Sequence, residues 1–123
     1  MSEAKPYPKE AQLARGPKRY PRKVATKKGW ERITAQKMGP CRVCVSREHV
    51  QLHHLVFRGH FGDDLPDNIV PVCDLCHQAL HERRAQISRL LLTRLSDAEY
   101  SYMVTRGGED YAERTYGISY ERT

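Results

Sequence analysis

Two Cys-x-x-Cys pairs constrain the fold of this 123-residue chain more than any other feature: Cys41 with Cys44, and Cys73 with Cys76. The tight turn between cysteines at this spacing points both sulfurs inward, so that each pair can meet one metal ion. The interval between the pairs is long enough to carry a hairpin. The four cysteines therefore predict a tetrahedral zinc site, which is structural because four thiolate ligands leave no open position for water.

A zinc staple fits the composition of the chain. Hydrophobic residues make up 39% and charged residues 29% of the sequence. This hydrophobic content is low for a large core, and domains with small cores usually need a stabilising cross-link such as a bound metal ion, here called a staple. The first ten residues lack the shape of a signal peptide, and no apolar run approaches membrane-spanning length. We therefore expect a cytoplasmic protein with no membrane partner. The cytoplasm is reducing, and under reducing conditions such cysteines more often bind metal than form disulfides.

Positive charge is concentrated near the N-terminus. Residues 1–37 carry eleven Lys and Arg against three acidic residues, whereas residues 38–123 carry ten against twelve. Residues 1–26 also contain four prolines and no apolar periodicity, which predicts a flexible basic arm. A polyanion such as nucleic acid is the expected partner, and a solvated tail is the alternative. The arm residues expected to contact nucleic acid are Lys18, Arg19, Arg22 and Lys23.

The hydrophobic pattern predicts a small α+β domain over residues 27–95 and a helical extension over residues 96–123. The predicted elements are a helix Lys27–Met38, strands Val50–Phe57 and Asn68–Val72, and one helix from Asp74 to about Leu95. Ser96 and Glu99 form a capping box that begins the next helix. The acidic C-terminal helices are expected to pack on the domain or to contact a protein partner.

The histidines carry the chemistry that this pattern can support. His77 and His81 are four residues apart on a predicted helix, so that both imidazoles face one side and can bind one ion. The adjacent His53 and His54 lie on a predicted strand and point to opposite faces. We assign His53 to the same ion and leave His54 as a general base. Surface histidines, or a buried pair bonded to backbone carbonyls, are the alternatives.

Other polar and aromatic residues of this stretch have simpler interpretations. Asn68 is either a turn former or an amide that holds the histidine strand by bonding backbone across the loop. Trp30 is expected to be a core residue that covers the cysteine region, and stacking on a nucleic-acid base is the alternative. Asp63 and Asp64 are expected to be solvated loop acids, although either could supply an oxygen ligand.

These residues, in this order, resemble the HNH endonucleases of the ββα-metal fold, in the subgroup with an added pair of zinc knuckles. The resemblance covers roughly residues 30–90 and rests on Cys41, Cys44, His53, His54, Asn68, Cys73, Cys76, His77 and His81. It implies a ββα-metal core stapled by a four-cysteine zinc site and flanked by the basic arm and the C-terminal helices. It also implies a prokaryotic or phage-infected host.

The resemblance implies a metal-dependent endonuclease that hydrolyses phosphodiester bonds of DNA, with duplex DNA as the expected partner. His54 would activate the attacking water, Asn68 would orient the loop, and a His-ligated divalent ion would stabilise the scissile phosphate. Phosphate contacts are expected from Arg58, Arg83 and Arg84. Many family members have Asp where this chain has His53, and three imidazoles favour Mn²⁺, Ni²⁺, Zn²⁺ or Co²⁺ over Mg²⁺.

The competing hypothesis is a non-catalytic, zinc-stapled module that binds nucleic acid, or an accessory of a larger DNA-processing machine. Four cysteines and a basic arm would suffice for binding alone. The four histidines and Asn68 favour the enzyme, because binding does not require a second cluster of metal-ligand types.

Overall fold

The computed structural model of the chain describes residues 21–117, and it confirms the predicted α+β class. The elements are α1 (Lys27–Lys37), β1 (Val50–His54), β2 (Ile69–Cys73), α2 (Asp74–His81), α3 (Ala85–Thr93), α4 (Asp97–Gly107) and α5 (Tyr111–Tyr116). Two short 3₁₀ turns, Arg58–His60 and Pro66–Asn68, lie in the loop between the strands. Over these described residues, no helix is long and apolar enough to cross a membrane.

The central unit is a two-stranded antiparallel hairpin followed directly by a helix. Val50 lies opposite Cys73, and His54 lies opposite Ile69. Every residue of β2 is buried, so the strand runs through the interior and α2 begins at the residue after it. This register places the histidine end of β1 at the opposite end of the hairpin from Cys73.

The helix expected from Asp74 to about Leu95 is interrupted, and the prediction of one continuous helix is wrong. The backbone of Arg83 is left-handed, with φ of 58°. The Arg83 N–H donates to the carbonyl of Leu80, and the Arg84 N–H donates to that of Ala79, both at 3.0 Å. This pair of hydrogen bonds is a helix C-terminal capping motif that usually has glycine at the left-handed position. The chain uses arginine there, so the sequence carries no stop signal.

The C-terminal helices pack on the same core as the hairpin. Met103, Tyr111 and Tyr116 are buried in one cluster with Leu55 and Leu80. The predicted capping box is present at the start of α4. It is formed by the hydroxyl of Ser96, which accepts from the Glu99 N–H, and by the Glu99 carboxylate, which accepts from the Ser96 N–H.

Glu99 joins three parts of the chain through its buried carboxylate. Lys37 of α1 lies 2.5 Å from one carboxylate oxygen, and Arg42 of the first cysteine turn donates to both oxygens at 2.7 and 3.1 Å. Burial alone would raise the pKa of Glu99, but the hydrogen bonds from Arg42 and Lys37 lower it to about 2. The carboxylate is therefore ionised at neutral pH, and it ties α4 to the cysteine turn and to α1.

Candidate metal centres and active site

The four cysteines converge on one point. Their sulfur atoms all lie within 4.8 Å of one another, and the Sγ atoms of Cys44 and Cys73 are 3.7 Å apart. Four Zn–S bonds of about 2.3 Å in a tetrahedron place the sulfurs about 3.8 Å apart. The cysteines are free of disulfides. Their arrangement therefore fits one tetrahedral ion such as zinc.

The ionisation of these thiols also fits a cation. Burial raises the pKa of Cys41, but hydrogen bonds from the backbone of Cys44, Cys73 and Val43 lower it to about 7. Burial and the neighbouring cysteines raise the pKa of Cys76 above its ordinary value. Four thiolates so close together repel one another, and a divalent ion among them would relieve that repulsion.

The second cluster joins one strand to one helix. His53 of β1 and His77 and His81 of α2 bring their ligand atoms within 4.8 Å of one another. The Nε2 atoms of His77 and His81 are 3.0 Å apart, so one imidazole can donate to the other or both can bind the same ion. His53 is 2% exposed, whereas His81 lies at the surface. The cluster is thus anchored inside the fold and open on one side.

Two of these histidines, His53 and His77, have the charge state that metal binding requires. Burial lowers the pKa of His53 well below its ordinary value, and His77 and His81 lower it further. Burial and the proximity of His81 also lower the pKa of His77. His53 and His77 are therefore neutral at pH 7, and a neutral imidazole carries the lone pair that a metal ion accepts. The donor set fits a divalent ion of the nitrogen-preferring type.

His54 lines the same cleft as the cluster and is held on two sides. Its Nε2 lies 2.9 Å from Oδ1 of Asp64, and its ring is nearly parallel to that of Trp30, at an interplanar angle of 6°. Burial lowers the pKa of His54, although the hydrogen bond to Asp64 opposes this shift. Trp30 was expected to cover the cysteine region, and its contact with His54 is a different role that its helical position did not indicate.

The expectation that Asp63 and Asp64 are solvated is wrong, because both are buried. Asp64 accepts from the Arg22 guanidinium at 2.5 Å and from the Ala25 N–H at 2.9 Å. Burial would raise the pKa of Asp64, but the Ala25 N–H, His54 and Arg22 lower it overall. Asp64 is therefore an ionised carboxylate, and its Oδ1 accepts a hydrogen bond from the Nε2–H of His54.

Asp63 faces the C-terminal helices rather than the histidines. Its carboxylate accepts from the hydroxyl of Tyr102 and from the Lys23 N–H, both at 2.6 Å, and it lies 3.4 Å from Arg106. It does not belong to either cluster of candidate metal ligands. The two neighbouring acids therefore have different contacts: Asp63 bonds α4, and Asp64 bonds His54 of β1.

Asn68 is fully buried and bonds backbone across the loop. Its Oδ1 accepts from the Val56 N–H at 2.7 Å, and its Nδ2 donates to the carbonyls of Val56 and Asp63 at 3.1 and 2.9 Å. These three bonds join the segment that follows β1 to the segment that precedes β2. Asn68 therefore fixes the strand that carries His53 and His54 against the loop that carries Asp64.

A cleft of about 310 Å³ opens over the histidines, with Trp30, Phe57 and Arg58 on its walls. The Arg58 side chain is 59% exposed, lies 3.8 Å from Asp64 and sits over the Trp30 ring. It is placed to meet a negatively charged ligand of the cleft.

The other arginines and lysines expected to contact nucleic acid lie in different settings. Arg84 is exposed and paired with Glu82 at 3.0 Å. Arg83 is exposed at the left-handed turn after α2, and Lys23 is exposed beside the loop. The Arg22 guanidinium is engaged by Asp64. Two further residues, Lys18 and Arg19, lie outside the described residues.

Comparison with known proteins identifies the segment that holds both clusters. Residues 41–83, about a third of the chain, match the family model described as HNH endonuclease. The resemblance seen in the sequence is thereby confirmed, and it indicates a nuclease or another nucleic-acid-related function. No curated protein and no solved structure matches the chain.

Proposed function

We propose that this chain, whose residues 41–83 match the HNH endonuclease family model, is a metal-dependent endonuclease that hydrolyses phosphodiester bonds of DNA. One observation carries the proposal. Three histidines, His53, His77 and His81, converge at one side of a cleft, and a fourth, His54, is held beside them by a carboxylate. A module that only binds nucleic acid would need neither the convergence nor the held imidazole.

The histidine cluster is the proposed site of the catalytic ion, and the cysteine cluster that of a structural zinc. When bound by His53, His77 and His81, a divalent ion would supply Lewis-acid stabilisation of the charge that develops on the scissile phosphate and the leaving oxygen. Three nitrogen donors favour Mn²⁺, Co²⁺, Ni²⁺ or Zn²⁺ over Mg²⁺, which prefers oxygen ligands.

His54 is the proposed general base, and its hydrogen bond decides which nitrogen acts. Because Asp64 is an ionised acceptor, Nε2 of His54 carries the proton that it donates, and Nδ1 keeps the lone pair. Nδ1 would take a proton from water as the water oxygen bonds to phosphorus. The bond from phosphorus to the 3′ oxygen then breaks, and the leaving 3′ oxygen takes a proton from solvent water, which gives a 5′-phosphate and a 3′-hydroxyl end.

Positioning and DNA contact are the proposed roles of the other site residues. Asn68 holds the strand of His54 against the loop of Asp64 through its three backbone bonds. Arg58, exposed at the cleft, would bind a phosphate near the scissile bond. Exposed Arg83 and Arg84, with the basic arm, would contact the backbone of duplex DNA farther away.

The test is a supercoiled-plasmid assay with the native chain, His54→Ala and His60→Ala. His60 is an exposed histidine of the loop that follows β1 and lies outside both clusters, so it is the matched control. Each chain is incubated with EDTA, Mg²⁺, Mn²⁺, Co²⁺, Ni²⁺ or Zn²⁺. We expect metal-dependent nicking by the native chain and by His60→Ala, and a rate about 10²- to 10⁴-fold lower for His54→Ala.

Two outcomes would contradict the proposal. Equal cutting by His54→Ala, with its fold and zinc content intact, would remove His54 as the base. Retained DNA binding in a shift assay without any cutting by the native chain would favour the binding module or an enzyme that requires a partner.

A further inference from the structure

Tyr116, the last residue of α5, reaches the histidine cluster from outside the segment that matches the HNH family. Its side chain is fully buried. The phenolic oxygen lies 2.8 Å from the carbonyl oxygen of Leu55 and 2.9 Å from Nε2 of His53. The C-terminal extension therefore makes direct contact with a candidate metal ligand.

The number of protons available fixes the direction of both hydrogen bonds. A phenol has one proton, and the carbonyl of Leu55 can only accept, so the Tyr116 O–H donates to Leu55. The Tyr116 oxygen must then accept from His53, whose Nε2 therefore carries the proton. A neutral imidazole has one N–H, so Nδ1 of His53 keeps the lone pair.

We infer that Tyr116 is a positioning residue that holds His53 in the tautomer whose Nδ1 can bind the catalytic ion. The inference rests on the proposed role of His53 as a ligand. His53 is 2% exposed, so water does not orient its ring, and the burial of Tyr116 prevents the phenol from turning to solvent. Hydrogen bonds of this kind to a ligand histidine select its tautomer and raise its basicity.

The test compares Tyr116→Phe with Tyr111→Phe in the full chain with zinc bound to the cysteines. Tyr111 is a matched control because it lies on the same helix, is equally buried and accepts a hydrogen bond through its hydroxyl, from the Phe57 N–H at 3.0 Å. It has no hydrogen bond to His53 among those seen in residues 21–117. Both variants therefore lose a buried hydroxyl, but only Tyr116→Phe loses the contact with His53.

Co²⁺ is the probe, titrated calorimetrically and followed by its visible absorption in the absence of DNA. We expect Tyr116→Phe to weaken Co²⁺ binding at the histidine cluster about tenfold or more, as for other partners of ligand histidines. Tyr111→Phe should bind Co²⁺ close to the native affinity. Equal affinity of the two variants would overturn the inference.

A second readout does not depend on either variant folding. Two-bond ¹H–¹⁵N correlations of the imidazoles, recorded on the native chain without Co²⁺, report which nitrogen of His53 carries the proton. We expect Nε2–H, and a finding of Nδ1–H would overturn the inference. Neither readout involves cutting. A chain that shows the Tyr116 effect but does not cut DNA would refute the proposed function alone.

Discussion

Asp64 Oδ1 lies 2.9 Å from Nε2 of His54, and the same oxygen lies 2.5 Å from the Arg22 guanidinium. One buried carboxylate therefore connects the candidate base to a residue at the start of the described chain. The arginine helps to keep the carboxylate ionised, and the ionised carboxylate keeps the proton of the imidazole on Nε2. The nitrogen that faces away from Asp64 is thus left free to accept a proton.

Asp64→Asn should slow DNA cutting on the order of 10²-fold, because an amide can present either its oxygen or its nitrogen to His54 and no longer selects one tautomer. The initial nicking rate at saturating metal measures this effect. Asp67→Asn, an exposed acid of the same loop, should cut at the native rate. Native cutting by folded Asp64→Asn would show that the carboxylate does not orient the base.

Asn68→Ala should lower the free energy of unfolding by about 2–4 kcal/mol, because it leaves a buried N–H and two buried carbonyls without their side-chain partner. Urea unfolding followed by circular dichroism measures the change. Gln51→Ala, on the exposed face of β1, should change stability by less than about 0.5 kcal/mol. The Asn68 contacts would be unimportant if both variants unfolded at the same urea concentration.

Cys73→Ser should lose zinc and most of its secondary structure, because structural zinc supplies much of the folding free energy of small domains. His77→Ala is the contrasting variant, since it removes a ligand of the histidine cluster and leaves all four thiols in place. It should keep one zinc ion and a native circular dichroism spectrum. A folded, zinc-free Cys73→Ser protein would refute the stapling role of the cysteines.

Glu99→Gln tests the pH dependence of stability. The folded-state pKa of Glu99 is lowered to about 2, below the ordinary value of a glutamate, so its stabilising contribution is present at neutral pH. That contribution should be on the order of 2 kcal/mol, and it should decrease as the pH falls from about 4.5 towards 2, because the folded state resists protonation that the unfolded state accepts.

The measurement is the difference in unfolding free energy between the native chain and Glu99→Gln at each pH. Acid-induced release of zinc affects both chains and cancels in that difference. We expect a constant gap from pH 7 to about 5 and a narrower gap below about 4.5. If the native chain and Glu99→Gln had the same unfolding free energy at pH 7, Lys37 and Arg42 would have equivalent partners without the carboxylate.

The features that the sequence predicted are those encoded by short spacings. The cysteine pairs, the histidines four residues apart and the capping box at Ser96 each depend on residues within one turn. Their spacing predicted which neighbouring residues share a metal site, and the hydrophobic pattern predicted the α+β class. The HNH resemblance was confirmed because its signature is made of such local patterns.

The features that were missed depend on contacts distant in sequence or on unusual backbone geometry. Asp64 is buried by Arg22, 42 residues away, and Tyr116 meets His53 across 63 residues. Arg83 ends a helix in a conformation that its side chain does not favour. The boundaries at residues 26 and 95, the cytoplasmic location and a protein partner for the C-terminal helices stay predictions.

Helix α2 has one more consequence, which concerns the order in which the protein matures. Cys73 is the N-cap of this helix, and Cys76 lies in its first turn. His77 and His81 lie on the same eight-residue helix. A zinc ion bound by Cys73 and Cys76 would fix the start of this helix and so hold its two histidines in register. If the cysteines bind zinc, we expect the two sites to fill sequentially, with the cysteine cluster first.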